Sequence, residues 1–224
     1  MPMTTSLIPQ PFWFRPAFRA PRLAGVPIKN PVGRLLNLDD TCLLPSLGNL
    51  NGHANWSRIW VAWNPKGLAI AAEVTGKPGR VQEAHNSQSF DGINIWVDTR
   101  DTRDIHRASR YCHKLSVILS PKPRGEGLDV TIEPQKIARA AADAPLPEAD
   151  SYLARAAWIR QGWLLEVFIP AETLQGFDPE TNRRLGFNVQ VCDPERGDEF
   201  LSGLGREFPQ GEDPSLWATL ELGE

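Results

Sequence analysis

The sequence predicts an all-β fold: an antiparallel β-sandwich of about nine strands, immunoglobulin-like or jelly-roll-like, with little helix. Three observations predict it. Twenty prolines and eighteen glycines punctuate the 224 residues, which favours short strands and turns over long helices. Apolar and polar residues alternate in stretch after stretch, most clearly at Ile93, Ile95 and Val97 against Asn94, Trp96 and Asp98. These stretches are bounded by turn signals and show no repeat of fixed period. A closed barrel is the runner-up architecture.

The elements follow in order. Residues 1–34 alternate aromatic and basic residues (Phe12, Trp13, Phe14, Arg15, Phe18, Arg19) among prolines that forbid a helix, so they predict an extended arm packed on the domain. Residues 35–224 form the sandwich, and no Gly/Ser-rich linker divides them. Ser57 to Asn64 and Gly67 to Thr75 read as a hairpin across Asn64-Pro65-Lys66-Gly67. Its first strand puts Ile59, Val61 and Trp63 on one face and Arg58, Trp60 and Ala62 on the other. A polar loop leads to the strand Gln88 to Asp98. Tyr111 to Ser120 and Gly127 to Glu133 are strands joined by a Pro/Gly-rich turn, and Gln135 to Ala142 predicts a short helical turn. Tyr152 to Ile159 and Trp163 to Ile169 pair across Arg160-Gln161-Gly162. Pro170 to Gly176 begins with Pro and ends with Gly, the mark of a single helical turn. Leu185 to Cys192 and Leu216 to Leu222 complete the strands.

Composition excludes several function classes. A net charge of -3 gives no electrostatic case for nucleic acid or an anionic membrane. Cys42, Cys112 and Cys192 are odd in number and lack motif spacing, so they form no disulfide framework. No basic region with a following apolar run opens the chain, and the default expectation is a cytoplasmic location. No nucleophile elbow, zinc-protease helix or phosphate loop is present. Cys112 and His113 are adjacent on a strand and so point to opposite faces, which prevents them from sharing a metal.

Three stretches carry a resemblance. Ile59 to Val74 is a long apolar hairpin ending Glu73-Val74. Phe90 to Asp98 is similar to an Asp-Asp-Ser-Val-Glu-Ile-Phe-Ile-Asp pattern. Leu165 to Pro170 followed by Leu185 to Asp193 is similar to Val-Glu-Ala-Ala-Ile-Pro and Ile-Gly-Phe-Asn-Val-Gln-Val-Asn-Asp. Over roughly residues 45 to 224 the chain resembles family 9 carbohydrate-binding modules within the DOMON-like sandwiches. The resemblance implies a non-catalytic module that takes a sugar. Family members hold the sugar between two tryptophans; those positions fall here near Gln88 and Gly211, and neither is aromatic. The family's hydroxyl-binding Glu becomes Asn94, and its Gln is kept as Gln190. The family often carries a structural calcium, for which Asp193, Glu195, Asp198 and Glu199 are the oxygen ligands on offer. Their spacing fits no EF-hand, and the expectation is no cofactor.

Two groups of residues are candidate ligand contacts. Asn94, Trp96, Glu166, Asn188 and Gln190 should all face away from the core, and amides that donate and accept suit paired hydroxyls. A solvated sheet face is the plain alternative. Arg100, Arg103, Arg107 and Lys114 lie in the most charged stretch. They either pair with Asp98, Asp101 and Asp104 or grip an acidic ligand. The expected ligand is thus a carbohydrate or a small acidic molecule. Two rivals are an enzyme on a glycan or acidic metabolite using Glu166, and an interaction domain docking through Phe12 to Phe18. The sequence sets no oligomeric state.

Overall fold

The computed structural model describes residues 15–29, 33–48, 54–77, 79–81, 89–122 and 127–224. Eleven strands form two sheets, joined only by turns, loops and short 3-10 segments among the described residues. One sheet has the order β1 (Ala17–Ala20), β11 (Ala218–Leu222), β9 (Arg184–Asp193), β4 (Asp91–Asp98), β5 (Cys112–Pro121), β6 (Leu128–Gln135), with β10 (Gly197–Phe200) pairing the far half of β9. The other has the order β2 (Ser57–Asn64), β3 (Gly67–Thr75), β8 (Gly162–Pro170), β7 (Leu153–Ile159). All pairings are antiparallel except β1 with β11. The sheets are open and stacked, so the architecture is the sandwich and not the barrel.

The alternation decides which residues meet between the sheets. Ile93, Ile95 and Val97 of β4, Leu115 and Val117 of β5 and Phe187, Val189 and Val191 of β9 face Ile59, Val61, Ile70, Leu165 and Val167 of the other sheet in one core. Each such side chain contributes about 1.5–3 kcal/mol by leaving water. Gly92 marks a close approach: its φ is +148°, and a Cβ there would stand 2.1 Å from the Val117 carbonyl oxygen. Only glycine fits.

The described part of the N-terminal arm, continued by residues 35–44, wraps the second sheet. After β1, Arg22 bridges to Trp63 and Leu43 to Trp60. Val26, Leu35, Leu36 and Cys42 then cover Trp60, Ala62, Ala69, Ala71 and Phe168 on that sheet's outer surface. This second cluster explains why β2, β3 and β8 are apolar on both faces. Phe12, Trp13 and Phe14, Gln88, and the centre of the β5–β6 turn lie outside the described residues.

Three expectations need correction. Two short strands, β1 and β10, carry too few residues to show a period. No helical turn forms at Gln135 to Ala142: Gln135 ends β6, where pairing with Lys114 outweighs local preference. The single helical turn expected after Pro170 does form, as the 3-10 segment Ala171–Thr173. Leu216, expected to open the last strand, instead precedes β11 within another 3-10 segment, Pro214–Leu216.

Candidate functional site

The outer face of the first sheet is built in rungs. Register places Gln135, Lys114, Trp96 and Asn188 side by side across β6, β5, β4 and β9. The next rung holds Glu133, Ser116, Asn94 and Gln190, with Phe200 of β10 beyond. Paired residues share a face, so both rungs look away from the core.

The second rung is tied end to end. Ser116 Oγ donates to Asn94 Oδ1. Asn94 Nδ2 donates to Gln190 Oε1 at 2.9 Å and to Cys192 Sγ at 3.6 Å. Gln190 Nε2 donates to Asp198 Oδ2, and Asp198 Oδ1 pairs with Arg206 at 2.7 Å. Asn94 is spent and buried. Gln190, half-buried, keeps one N–H and one lone pair, and the exposed Arg206 keeps further donors.

The first rung is the opposite. Trp96 and Asn188 are buried, and Trp96 Nε1, Asn188 Nδ2 and Asn188 Oδ1 have no hydrogen-bond partner. Lys114 Nζ sits 5.8 Å from the centre of the Trp96 ring. Trp96 packs with Ala108, Cys112, Ile137 and Trp217. Over this cluster, loop contacts close a roof: His106 with Asp213 at 3.0 Å, Arg139 with Glu212 at 3.6 Å, and the Arg107 guanidinium on the Arg139 carbonyl at 2.8 Å. Trp96 therefore presents no open ring for stacking.

The structure separates residues that share alternation in the sequence. Glu166 faces outward too, but from the other sheet and under the arm. Its carboxylate accepts the backbone amides of Leu35 at 2.7 Å, Leu36 at 3.4 Å and Asn37 at 3.3 Å, with Arg34 3.6 Å away. It anchors the arm and lies apart from Asn94 and Gln190. The arginines do not gather on the polar face either. Arg100 stacks on Tyr111 at 4.7 Å, Arg103 pairs with Asp101 at 3.3 Å, and Arg107 holds the Arg139 and Ala140 carbonyls. Asp98 accepts the amides of Arg100 and Thr102, folding the charged loop on itself. Of that group, only Lys114 sits on a rung of the polar face.

The four oxygen-bearing residues of the β9–β10 region do not fit one metal. Asp193 and Glu195 surround Lys77, Asp198 holds Gln190 and Arg206, and Glu199 accepts from the amides of Trp56 and Ser57. Among the described residues no group of three or more such side chains is placed to hold a metal ion. His113 points inward and Cys112 outward, as adjacent strand residues must. Burial pushes the Cys112 thiol up to about 11 and the Cys192 thiol well above its ordinary value.

No protein-family model and no curated protein sequence matches the chain. Solved structures do. A family 9 carbohydrate-binding module from Caldicellulosiruptor kristjanssonii in complex with glucose superposes with a TM-score of 0.58, covering 93% of this chain and 96% of that one at 15% identity. A family 9 module from the same organism in complex with cellotriose gives a TM-score of 0.56, covering 92% and 93%, again at 15% identity. This chain has the fold of family 9 carbohydrate-binding modules. In this family 9-like fold Gly211, where the sequence resemblance puts one stacking tryptophan, lies over Trp96: a Cβ on it would be 3.4 Å from Trp96 Cζ2.

Ser116 and Arg206 escaped the sequence reading, and Asp198 entered it only as a possible calcium ligand. Ser116 had a signal, since it stands two residues from Lys114 on the same strand face. Arg206 had none, because it reaches the rung from a loop.

Proposed function

We propose that this domain is a non-catalytic carbohydrate-binding module whose ligand meets the outer face of the β9–β4–β5 sheet at Gln190. The observation that carries this reading is the connected chain Ser116–Asn94–Gln190–Asp198–Arg206. It fixes a donor and an acceptor side by side on a half-buried amide, beside an exposed guanidinium. Such a pair matches adjacent sugar hydroxyls, which donate and accept at once, and it is already ordered before any ligand arrives. The family 9 modules of the same fold, in complex with glucose and with cellotriose, support the choice of ligand class. Glu166, with both oxygens taken by the arm, supplies no free carboxylate for glycosidic chemistry.

Isothermal titration of the full chain against a panel of mono- and oligosaccharides tests the reading. Saturable binding without product, weakened about tenfold or more in Gln190→Ala, is expected. Absence of binding to every sugar, or unchanged affinity in Gln190→Ala, would overturn it.

A further inference from the structure

Four cationic residues among the described ones are buried or half-buried: Lys77, Arg103, Lys114 and Arg196. Three have carboxylates within ion-pair distance. Lys77 lies 2.9 Å from Asp91 and 3.0 Å from Asp193, Arg103 lies 3.3 Å from Asp101, and Arg196 lies 3.1 Å from Asp193. Lys114 has no carboxylate within ion-pair distance among the described residues; its ammonium lies near the Trp96 ring. Taking an ammonium partly out of water without a counter-charge is unfavourable, and burial lowers its pKa accordingly. Elsewhere this chain compensates each such cation, so the exception needs a reason.

The rung itself points the same way. Lys114, Trp96 and Asn188 stand in register, but Trp96 and Asn188 are sealed beneath the loop roof, so Lys114 is the one of the three that a ligand can reach. Its ammonium donates and cannot accept. A group that only accepts hydrogen bonds and carries negative charge complements it, and a carboxylate is that group. One rung away, the polar groups are already matched among themselves and suit neutral hydroxyls.

We propose that the ligand of this module is an acidic sugar whose carboxylate seats at Lys114 while its hydroxyls meet Gln190. The inference rests on the carbohydrate-binding reading and adds the substrate class to it. Lys114 is then the specificity-determining residue that separates uronic acids from their neutral counterparts.

Matched pairs of sugars differing only at C6 test it: glucose against glucuronate and galactose against galacturonate, titrated into the full chain by calorimetry. At least one uronate should bind about tenfold or more tighter than its neutral partner, as expected for a charge-assisted contact in a half-buried setting. The preference should shrink as salt rises and vanish in Lys114→Met, while Lys114→Arg, which keeps the charge, retains part of it. Thermal unfolding of both variants reports whether they fold. Equal affinities within every pair, or a preference that survives Lys114→Met, would overturn the acidic-sugar inference and leave the carbohydrate reading standing. Binding of neither member of any pair would overturn both.

Discussion

Lys77 Nζ lies 2.9 Å from Asp91 Oδ1, with both side chains almost wholly withdrawn from solvent. Asp193 at 3.0 Å and Glu195 at 3.5 Å complete the surround. The ammonium thus joins the loop after β3 to the start of β4 and the end of β9, linking the two sheets at one end of the sandwich. Burial works against its charge, but the hydrogen bonds it donates to Asp91 and Asp193, and their negative charges, outweigh it and hold the Lys77 pKa above its ordinary value. Asp193 is held below the usual carboxylate range: burial opposes this, and the Glu195 amide and Lys77 overcome it.

Removing that cation should be costly. Lys77→Met leaves buried carboxylates facing each other, and the loss should reach about 3–5 kcal/mol, as for other broken buried ion pairs. Urea unfolding at neutral pH measures it. A loss under about 1 kcal/mol would show that water or rearrangement compensates the carboxylates.

Glu166→Gln should loosen the arm without touching the polar face of the first sheet. The charged acceptor of three backbone amides is lost, at about 1.5–3 kcal/mol for hydrogen bonds of this kind. Limited proteolysis should then cut within residues 33–48 sooner than in the wild type. Sugar affinity, read by calorimetry, should stay within about twofold because the variant lies on the opposite sheet.

His113 makes stability depend on pH. It is buried with Nε2 unpartnered, and burial lowers its pKa from the ordinary 6.5 to about 4. The unfolded chain therefore binds a proton between those values that the folded chain refuses. The contribution of this residue is constant above pH 6.5 and is lost as the pH falls toward 4. Melting temperatures across that window should decline in the wild type and decline less in His113→Gln. Equal slopes would assign the acid sensitivity to the carboxylates alone.

Gly211→Trp should give the polar face an aromatic surface. Gly211 has no left-handed φ, and the 3.4 Å contact with Trp96 is close but tolerable. An indole there can cover the C–H face of a sugar, so affinity for a bound sugar should rise, by about 0.5–1.5 kcal/mol if stacking resembles other aromatic contacts. A fall in affinity with an intact fold would mean that the ligand lies elsewhere on the sheet.

The strands were legible because each rests on a local fact. Ile93, Ile95 and Val97 alternate with Asn94, Trp96 and Asp98, and a period of two survives whatever packs against it. The polar row was legible for the same reason: Asn94, Asn188 and Gln190 are polar where the core would want apolar groups. β1 and β10 were not, because four residues held by a neighbour carry no period of their own.

What the sequence by itself determined, then, is which side chains face away from the core and that two sheets must bury the rest. What only the tertiary structure decided is which sheet each outward residue belongs to and what meets it there. Glu166 and Gln190 alternate alike, yet one is sealed beneath the arm and the other stands half-buried on the outer face of the first sheet. Lys114 and Arg103 are both basic residues of one charged stretch, yet Asp101 neutralises Arg103, while Lys114 faces the Trp96 ring. Alternation fixes a direction relative to one's own strand; the partner across a sheet, or in a loop such as that of Arg206, comes from chain contacts many residues away.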